Sequence, residues 1–412
     1  MIYGCIGEKL SHNFSKEIHN KLFDYDYEIC EVKKEDLDEF MTKRDFKAIN
    51  VTIPYKRDVI PHLYKISDVA QKIGAVNTIV NQNGKLYGYN TDFYGMRALI
   101  LKNGICLKNK KVLVLGSGGT SKTANEVALS LEAKEVLTVS RNATDGQITY
   151  DEMIKNHSDA EIIINTTPVG MYPKTYESAV NVNAFKNLEA VVDAVYNPLS
   201  SKLVLDAREK NIKAVGGLYM LVYQAAIAAE KFTDQKVSEE KIDSVFKEIY
   251  KGKQNIVLIG MPSCGKSTIG QILSKKLNKS FVDTDSEIEK AVNMTVSEFI
   301  KQNGEKSFRE IESKIIFEVS KASNSVIATG GGTVLNPLNV KYLKQNGRIY
   351  FIDRELKYLI PTSDRPLSSS IEDLKKRYDE RYHIYTNSCD FHLKAGNDAE
   401  NNAKIIKEEF LK

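Results

Sequence analysis

Apolar and polar positions change period several times along the first hundred residues. Ile2–Ile6 and Tyr27–Val32 are short apolar runs of strand length. Ser15–Phe23 and Lys34–Lys43 instead space their apolar residues three and four apart, as a helix with one buried face does. Beyond residue 110 the pattern is simpler. KVLVL (111–115) is a continuous apolar run that ends in GSGGTSKTA, and EVLTVS (135–140), EIIINTT (161–167) and AVVDAVY (190–196) follow between helical stretches. Strands apolar on both faces that alternate with helices predict an α/β fold with a parallel sheet covered on both sides. Residues 217–250 read as largely helical, with a helix over Ser238–Tyr250 stopping near Gly252. NIVLIG (255–260) then opens a second strand, glycine loop and helix. A boundary with a short linker is expected at 251–254. The two glycine loops differ in sequence, so the halves are not a duplication.

Composition narrows the class. At roughly 100–200 residues per domain, 412 residues admit two to four domains. No apolar run is long enough to span a bilayer. The N-terminal segment lacks a basic stretch followed by an apolar one, so a cytoplasmic location is expected. A net charge of +4 on so long a chain does not call for nucleic acid, and a slight positive bias suits substrates bearing carboxylates and phosphates. Five scattered cysteines without CxxC spacing point to reduced thiols and away from a disulfide framework or a zinc site.

The first glycine loop, Gly116-Ser117-Gly118-Gly119, follows a strand and opens a helix. Glycines there let the backbone approach a pyrophosphate, which the helix N-terminus then binds with its free N–H groups. At the end of the next strand an acidic residue would hold a ribose 2′-hydroxyl. This chain has Arg141, whose guanidinium suits the 2′-phosphate of NADP. Five further segments occur in order: NVTIPYK (50–56), GAVNT (74–78), YNTD (89–92), DAVYNPL (193–199) and GGLYMLVYQ (216–224). Together they resemble shikimate dehydrogenase over essentially all of residues 1–250.

The resemblance implies a substrate-binding domain from 1–98 and 217–250 and a Rossmann-type NADP domain at 99–216. It implies that Lys56 and Asp92 are the catalytic pair. It places Thr52, Asn77, Tyr196 and Gln224 at the substrate, and Gly217 with the loop glycines at the cofactor. The family's carboxylate-binding serine pair becomes Asn13 and Ser15 here, which leaves a quinate-like acid open as the substrate. Asp145 stands where many members carry a second basic residue.

The second loop, Gly260 to Ser267, fits GxxxxGK[ST]. In such a loop backbone N–H groups cradle phosphates, Lys266 reaches the outer phosphate oxygens and Ser267 holds Mg²⁺; Thr268 follows at the same site. Around it lie DTD (283–285), FREIE (308–312), GGG (330–332), DRPL (364–367) and DERY (379–382). This set resembles shikimate kinase from 253 to about 395. By resemblance Asp283 supports Mg²⁺, Asp285 orients the acceptor hydroxyl, Arg309 and Arg381 grip its carboxylate, and Gly331 and Gly332 pack on the ring. Arg365 meets the phosphoryl group in transit. The stretch before Arg365 is several residues shorter than the family's. The halves then imply one bifunctional enzyme using NADP(H), ATP and Mg²⁺, a monomer or homodimer, that reduces 3-dehydroshikimate and phosphorylates the product. A quinate-type dehydrogenase fused to a kinase for another polyol, and a shikimate-binding regulator without turnover, are the alternatives. The second should have lost Lys56, Asp92, Lys266 or Asp285, and all four are present.

Overall fold

The apolar runs pair into three sheets among the described residues of the computed structural model, which are 2–10, 14–359 and 371–412. Contacts divide the chain between Ile249 and Tyr250 into two units. The first sheet uses β1 (Tyr3–Gly7), β2 (Tyr27–Glu31), β3 (Ala48–Val51), β4 (Lys65–Ile66), β5 (Thr78–Gln82) and β6 (Lys85–Tyr89) in the order β2-β1-β3-β5-β6-β4. β1 is parallel to β2 and β3, while β3–β5 and β5–β6 are antiparallel. The β5–β6 hairpin turns at Asn83 and Gly84, both at positive φ (52° and 81°), the geometry that matches strand twist. Alternation splits the sheet's side chains into two cores. Ile6, Ile49, Val51 and Ile79 fill one face, and Cys5, Tyr27, Ala48 and Val80 meet Ala228 and Phe232 on the other. The second pair lies on the helix Leu218–Thr233, so the chain returns to its first sheet after residue 217.

The second sheet uses β7 (Lys111–Leu115), β8 (Glu135–Val139), β9 (Gln147–Ile148), β10 (Ile162–Asn165), β11 (Ala190–Asp193) and β12 (Lys213–Val215), in the order β12-β11-β10-β7-β8-β9. Every pairing is parallel. Val112 to Leu115 are fully buried, as strands covered on both faces should be.

The second unit's sheet uses β13 (Asn255–Ile259), β14 (Ser280–Asp283), β15 (Ser325–Ala328), β16 (Gly347–Arg354) and β17 (Phe391–Ala395), ordered β14-β15-β13-β16-β17 and all parallel. The glycine loop leaves β13, the central and fully buried strand.

One helix end differs from expectation. The helix Glu239–Lys253 runs through Gly252, which is therefore no stop signal. The Lys279 ammonium instead takes the carbonyls of Lys251, Gly252 and Gln254 at 3.0, 3.5 and 2.9 Å. A cation on the last carbonyls does what a left-handed glycine does elsewhere. Only Gln254 separates this helix from β13. No helix among the described residues is long and apolar enough to cross a membrane.

Candidate active sites

In the first unit, the chain leaving β3 carries Thr52 and Lys56, and the helix Asp92–Lys102 begins with Asp92. Lys56 Nζ lies 2.6 Å from Asp92 Oδ2, with the two side chains 20% and 13% exposed. The ion pair is thus largely withdrawn from water yet open on one side. Such an ammonium can donate a proton to an oxygen that gains charge while the carboxylate holds it in place. Asn77 is buried just before β5, and its amide connects through Thr91 to Gln224 on the helix Leu218–Thr233. Ser15 opens the helix Ser15–Leu22. Phe14, which precedes it, packs its ring 5.4 Å from that of Tyr196. Burial pushes the Tyr196 hydroxyl upward, so it remains a donor. Asn13 lies outside the described residues.

The loop after β7 has the shape that a dinucleotide requires. Gly116 sits at φ +106°, and a Cβ there would approach Thr166 Oγ1 to 2.9 Å. Gly118 caps the helix Gly119–Ser130, and a Cβ on Gly118 or Gly119 would meet nothing within 4 Å. The helix N-terminus therefore has open space before it, as phosphate binding needs. Ser117 Oγ lies 3.2 Å from Ser140 Oγ, which ties the loop to the end of β8, and the exposed Arg141 comes next. Asp145 is exposed as well. Gly217 serves a packing purpose at its own position: a Cβ would lie 2.3 Å from the Ala194 carbonyl oxygen.

In the second unit the loop from Gly260 opens the helix Lys266–Leu277, with Gly265 at φ +96° as its cap. Lys266 is buried, with Nζ on the carbonyls of Gly260 (3.0 Å) and Met261 (2.8 Å). The Ser267 hydroxyl donates to Asp283 Oδ2 at 2.6 Å, and Thr268 is exposed beside it. A hydroxyl and a carboxylate at a phosphate loop are the hard oxygen donors that Mg²⁺ takes together with phosphate oxygens. The residues present therefore fit a nucleoside triphosphate and its metal.

The triple glycine after β15 lies against Asp285, Pro262 and Arg309. A Cβ on Gly330 would lie 2.7 Å from Asp285 Oδ1, one on Gly331 2.8 Å from Pro262 in the phosphate loop, and one on Gly332 2.3 Å from Arg309. Arg309 donates to Glu312 at 2.8 Å and to Glu305 at 3.0 Å. Arg381 Nη1 and the Tyr385 hydroxyl both donate to the Gly331 carbonyl. Arg309, Arg381, Asp285 and the bare backbone of the triple glycine are thus brought together beside the phosphate loop. Arg365 lies outside the described residues.

Several contributors escape a sequence reading. Glu312, which the spacing alone allows as a surface partner of Arg309, is 1% exposed and accepts from Thr333 at 2.8 Å. Tyr385 lies one helical turn beyond Arg381, and this shared face was its only signal. Asn50 and Thr78, buried behind Asn77, stand at the ends of the segments NVTIPYK and GAVNT, but the sequence assigned them no role.

Comparisons with known proteins fall on the two units separately. Residues 5–79 match the family described as shikimate dehydrogenase substrate binding domain, and residues 262–411 the family described as shikimate kinase. A shikimate dehydrogenase (NADP(+)) of Clostridium beijerinckii is 41% identical over 243 residues, which span 55% of this chain and 90% of that one. The enzyme of the same name from Methanosphaera stadtmanae is 33% identical, over 59% of this chain and 95% of its own. Among solved structures, a chorismate mutase/shikimate 5-dehydrogenase fusion protein from Clostridium acetobutylicum is similar with a TM-score of 0.58. It shares 40% identity and covers 60% of this chain and 96% of its own. The shikimate 5-dehydrogenase from Thermus thermophilus in complex with NADP(H) and shikimate has a TM-score of 0.55 at 26% identity, over 60% of this chain and 99% of its own.

Proposed function

The chain belongs to the shikimate dehydrogenase family and carries a shikimate kinase domain after it, and from that premise we propose that it catalyses two consecutive reactions on one acid. In the first, 3-dehydroshikimate, NADPH and a proton give shikimate and NADP⁺. In the second, shikimate and ATP give shikimate 3-phosphate and ADP. The observation that carries this reading is that each unit holds its own reacting pair. One is Lys56 on Asp92; the other is Ser267 on Asp283 at a loop that holds Lys266.

When bound, NADPH supplies a hydride, and ATP with Mg²⁺ supplies a phosphoryl group. The chain's own residues do the rest. Lys56 donates its proton to the ketone oxygen as that oxygen gains charge, and Asp92 keeps the ammonium in place. Arg141 selects the 2′-phosphate. Asn77, Gln224, Ser15, Thr52 and Tyr196 orient the ring. In the second unit Arg309 and Arg381 hold the carboxylate, Asp285 aligns the attacking hydroxyl, and Ser267 with Asp283 seats the metal.

The test follows both activities in one preparation. The protein is given 3-dehydroshikimate, NADPH, ATP and Mg²⁺, and products are read by mass spectrometry; shikimate 3-phosphate is expected. Asp92→Asn should lower ketone reduction by about 100-fold or more while phosphorylation of added shikimate stays unchanged. Lys266→Ala should do the reverse, and chelation of Mg²⁺ should stop only the second reaction. Faster oxidation of quinate than of shikimate, or no phosphorylation with Mg²⁺ present, would overturn the corresponding half.

A further inference from the structure

We infer that Thr78 is a positioning residue of the dehydrogenase site: its hydroxyl completes a buried hydrogen-bond chain, its direction set by backbone groups, that holds the Asn77 and Gln224 amides as donors toward the substrate. This rests on the reading that those two amides bind the acid.

Three amides in the chain are oriented by backbone groups whose polarity is fixed. Asn50 Nδ2 lies 3.2 Å from the carbonyl oxygen of Asn77, which can only accept. Asn50 Oδ1 therefore faces Tyr27, whose hydroxyl donates to it across 2.7 Å. Asn77 Oδ1 lies 2.7 Å from the backbone N–H of Thr91, which can only donate. Gln224 Nε2 lies 3.0 Å from the Leu221 carbonyl oxygen. With these ends fixed, the two hydroxyls have one direction left. Thr78 Oγ1 accepts from Asn50 Nδ2 at 3.1 Å, so its proton passes onward, to Asn77 Oδ1 at 3.1 Å or to the Thr91 hydroxyl at 3.2 Å. Thr91 Oγ1 accepts from Asn77 Nδ2 at 3.0 Å. Its proton goes to Gln224 Oε1 at 3.2 Å, or to Asn77 Oδ1 at the longer 3.3 Å. Donation runs one way from Tyr27 through Asn50 and Thr78, and it reaches Gln224 through the shorter of the two Thr91 contacts.

The consequence is chemical. The oxygens of both site amides are taken within the chain. Each amide keeps one N–H without a partner among the described residues. Their free N–H groups meet a ligand as donors and read its oxygens through lone pairs, while a substrate hydroxyl can give its own proton to an acceptor such as the Asp92 carboxylate. Water cannot take Thr78's place, because Thr78 and Thr91 are fully buried and Asn77 and Asn50 are 3% and 7% exposed. Burial also raises the Tyr27 hydroxyl well above its usual range, so the donor at the head of the chain stays protonated. Without the Thr78 hydroxyl, Asn50 Nδ2 loses an acceptor and Asn77 Oδ1 loses one of its donors, so the Asn77 amide is held by its Thr91 contacts alone and less tightly.

The experiment compares Thr78→Val, which keeps the shape and loses the hydroxyl, with Thr78→Ser, Asn77→Ala and Tyr27→Phe in the full chain. Shikimate oxidation is measured, with the kinase activity as a control for the rest of the molecule. Thr78→Val should raise the KM for shikimate by about tenfold, within the range expected for unpaired buried polar groups, and leave the KM for NADP⁺ within about twofold. Thr78→Ser should restore most of the loss, and Tyr27→Phe should give a smaller rise of the same kind. An unchanged shikimate KM in Thr78→Val, alongside a raised one in Asn77→Ala, overturns the role of Thr78 and leaves the site reading intact. An unchanged KM in Asn77→Ala overturns the site reading itself. If both KM values rise alike, or serine fails to rescue, Thr78 is merely structural and the inference falls. Should Thr78→Val not fold, a Tyr27→Phe protein with unaltered shikimate KM overturns it equally.

Discussion

Arg309 can lie flat on the triple glycine only because position 332 has no side chain. A Cβ there would sit 2.3–2.5 Å from the guanidinium carbon and nitrogens. Gly332→Ala should therefore push Arg309 off its seat on Glu312 and raise the kinase KM for shikimate by about tenfold or more, with dehydrogenase kinetics unchanged. Steady-state kinetics of both activities on one preparation check this. The residue types in this pocket were legible because each stands in a short run with a fixed neighbour, such as FREIE or GGG. Their environments were not. Arg309 and Glu312 sit three apart on a helix, a spacing shared by an exposed pair and by this one, in which the carboxylate is sealed beneath Thr333.

Where elements meet, one buried acid ties three of them together. Asp193 ends β11, and its Oδ1 accepts from Asn165 of β10 at 2.9 Å and from the Val195 N–H at 3.0 Å. Its Oδ2 accepts from Ser201, the cap of the helix Lys202–Arg208. Burial pushes this carboxyl up from 3.8 to about 6, against the pull of the three hydrogen bonds. A folded-state pKa above the unfolded one means that the folded protein binds the proton more tightly. The contribution to stability is then fully present below about pH 4 and is lost as pH rises through about 6. The thermal midpoint of the wild type relative to Asp193→Asn should fall across that window. A difference that stays flat, or rises, contradicts the assignment. The apolar runs named from the sequence fall on β1, β2, β7, β8, β10, β11 and β13, whereas the two-residue strands β4 and β9 are too short to show a period. The stop assigned to Gly252 failed because a distant lysine caps that helix, and no local signal announces it.

At the scale of the molecule, each unit has its own buried sheet and its own reacting residues. Fragments 1–253 and 250–412 both keep the last turn of the helix Glu239–Lys253. Each should be soluble and retain its own activity within about threefold of the intact chain, since neither loses a core of its own. Assay of the two fragments decides it, and loss of both activities in both pieces would mean that the units depend on each other.

By itself the sequence determined the α/β class, the two glycine loops and the chemical identity of the reacting groups. These are local matters: a strand, a turn and a helix start occupy consecutive residues, and phosphate binding needs only that succession. Tertiary structure alone decided which groups meet. Lys56 and Asp92 are 36 residues apart, and Thr91 and Gln224 are 133 apart. The burial of Glu312, the cap at Lys279 and the one-way chain through Thr78 likewise arise where distant segments exclude water together. Hydrogen-bond direction in such a place is fixed by backbone groups that no side-chain pattern encodes.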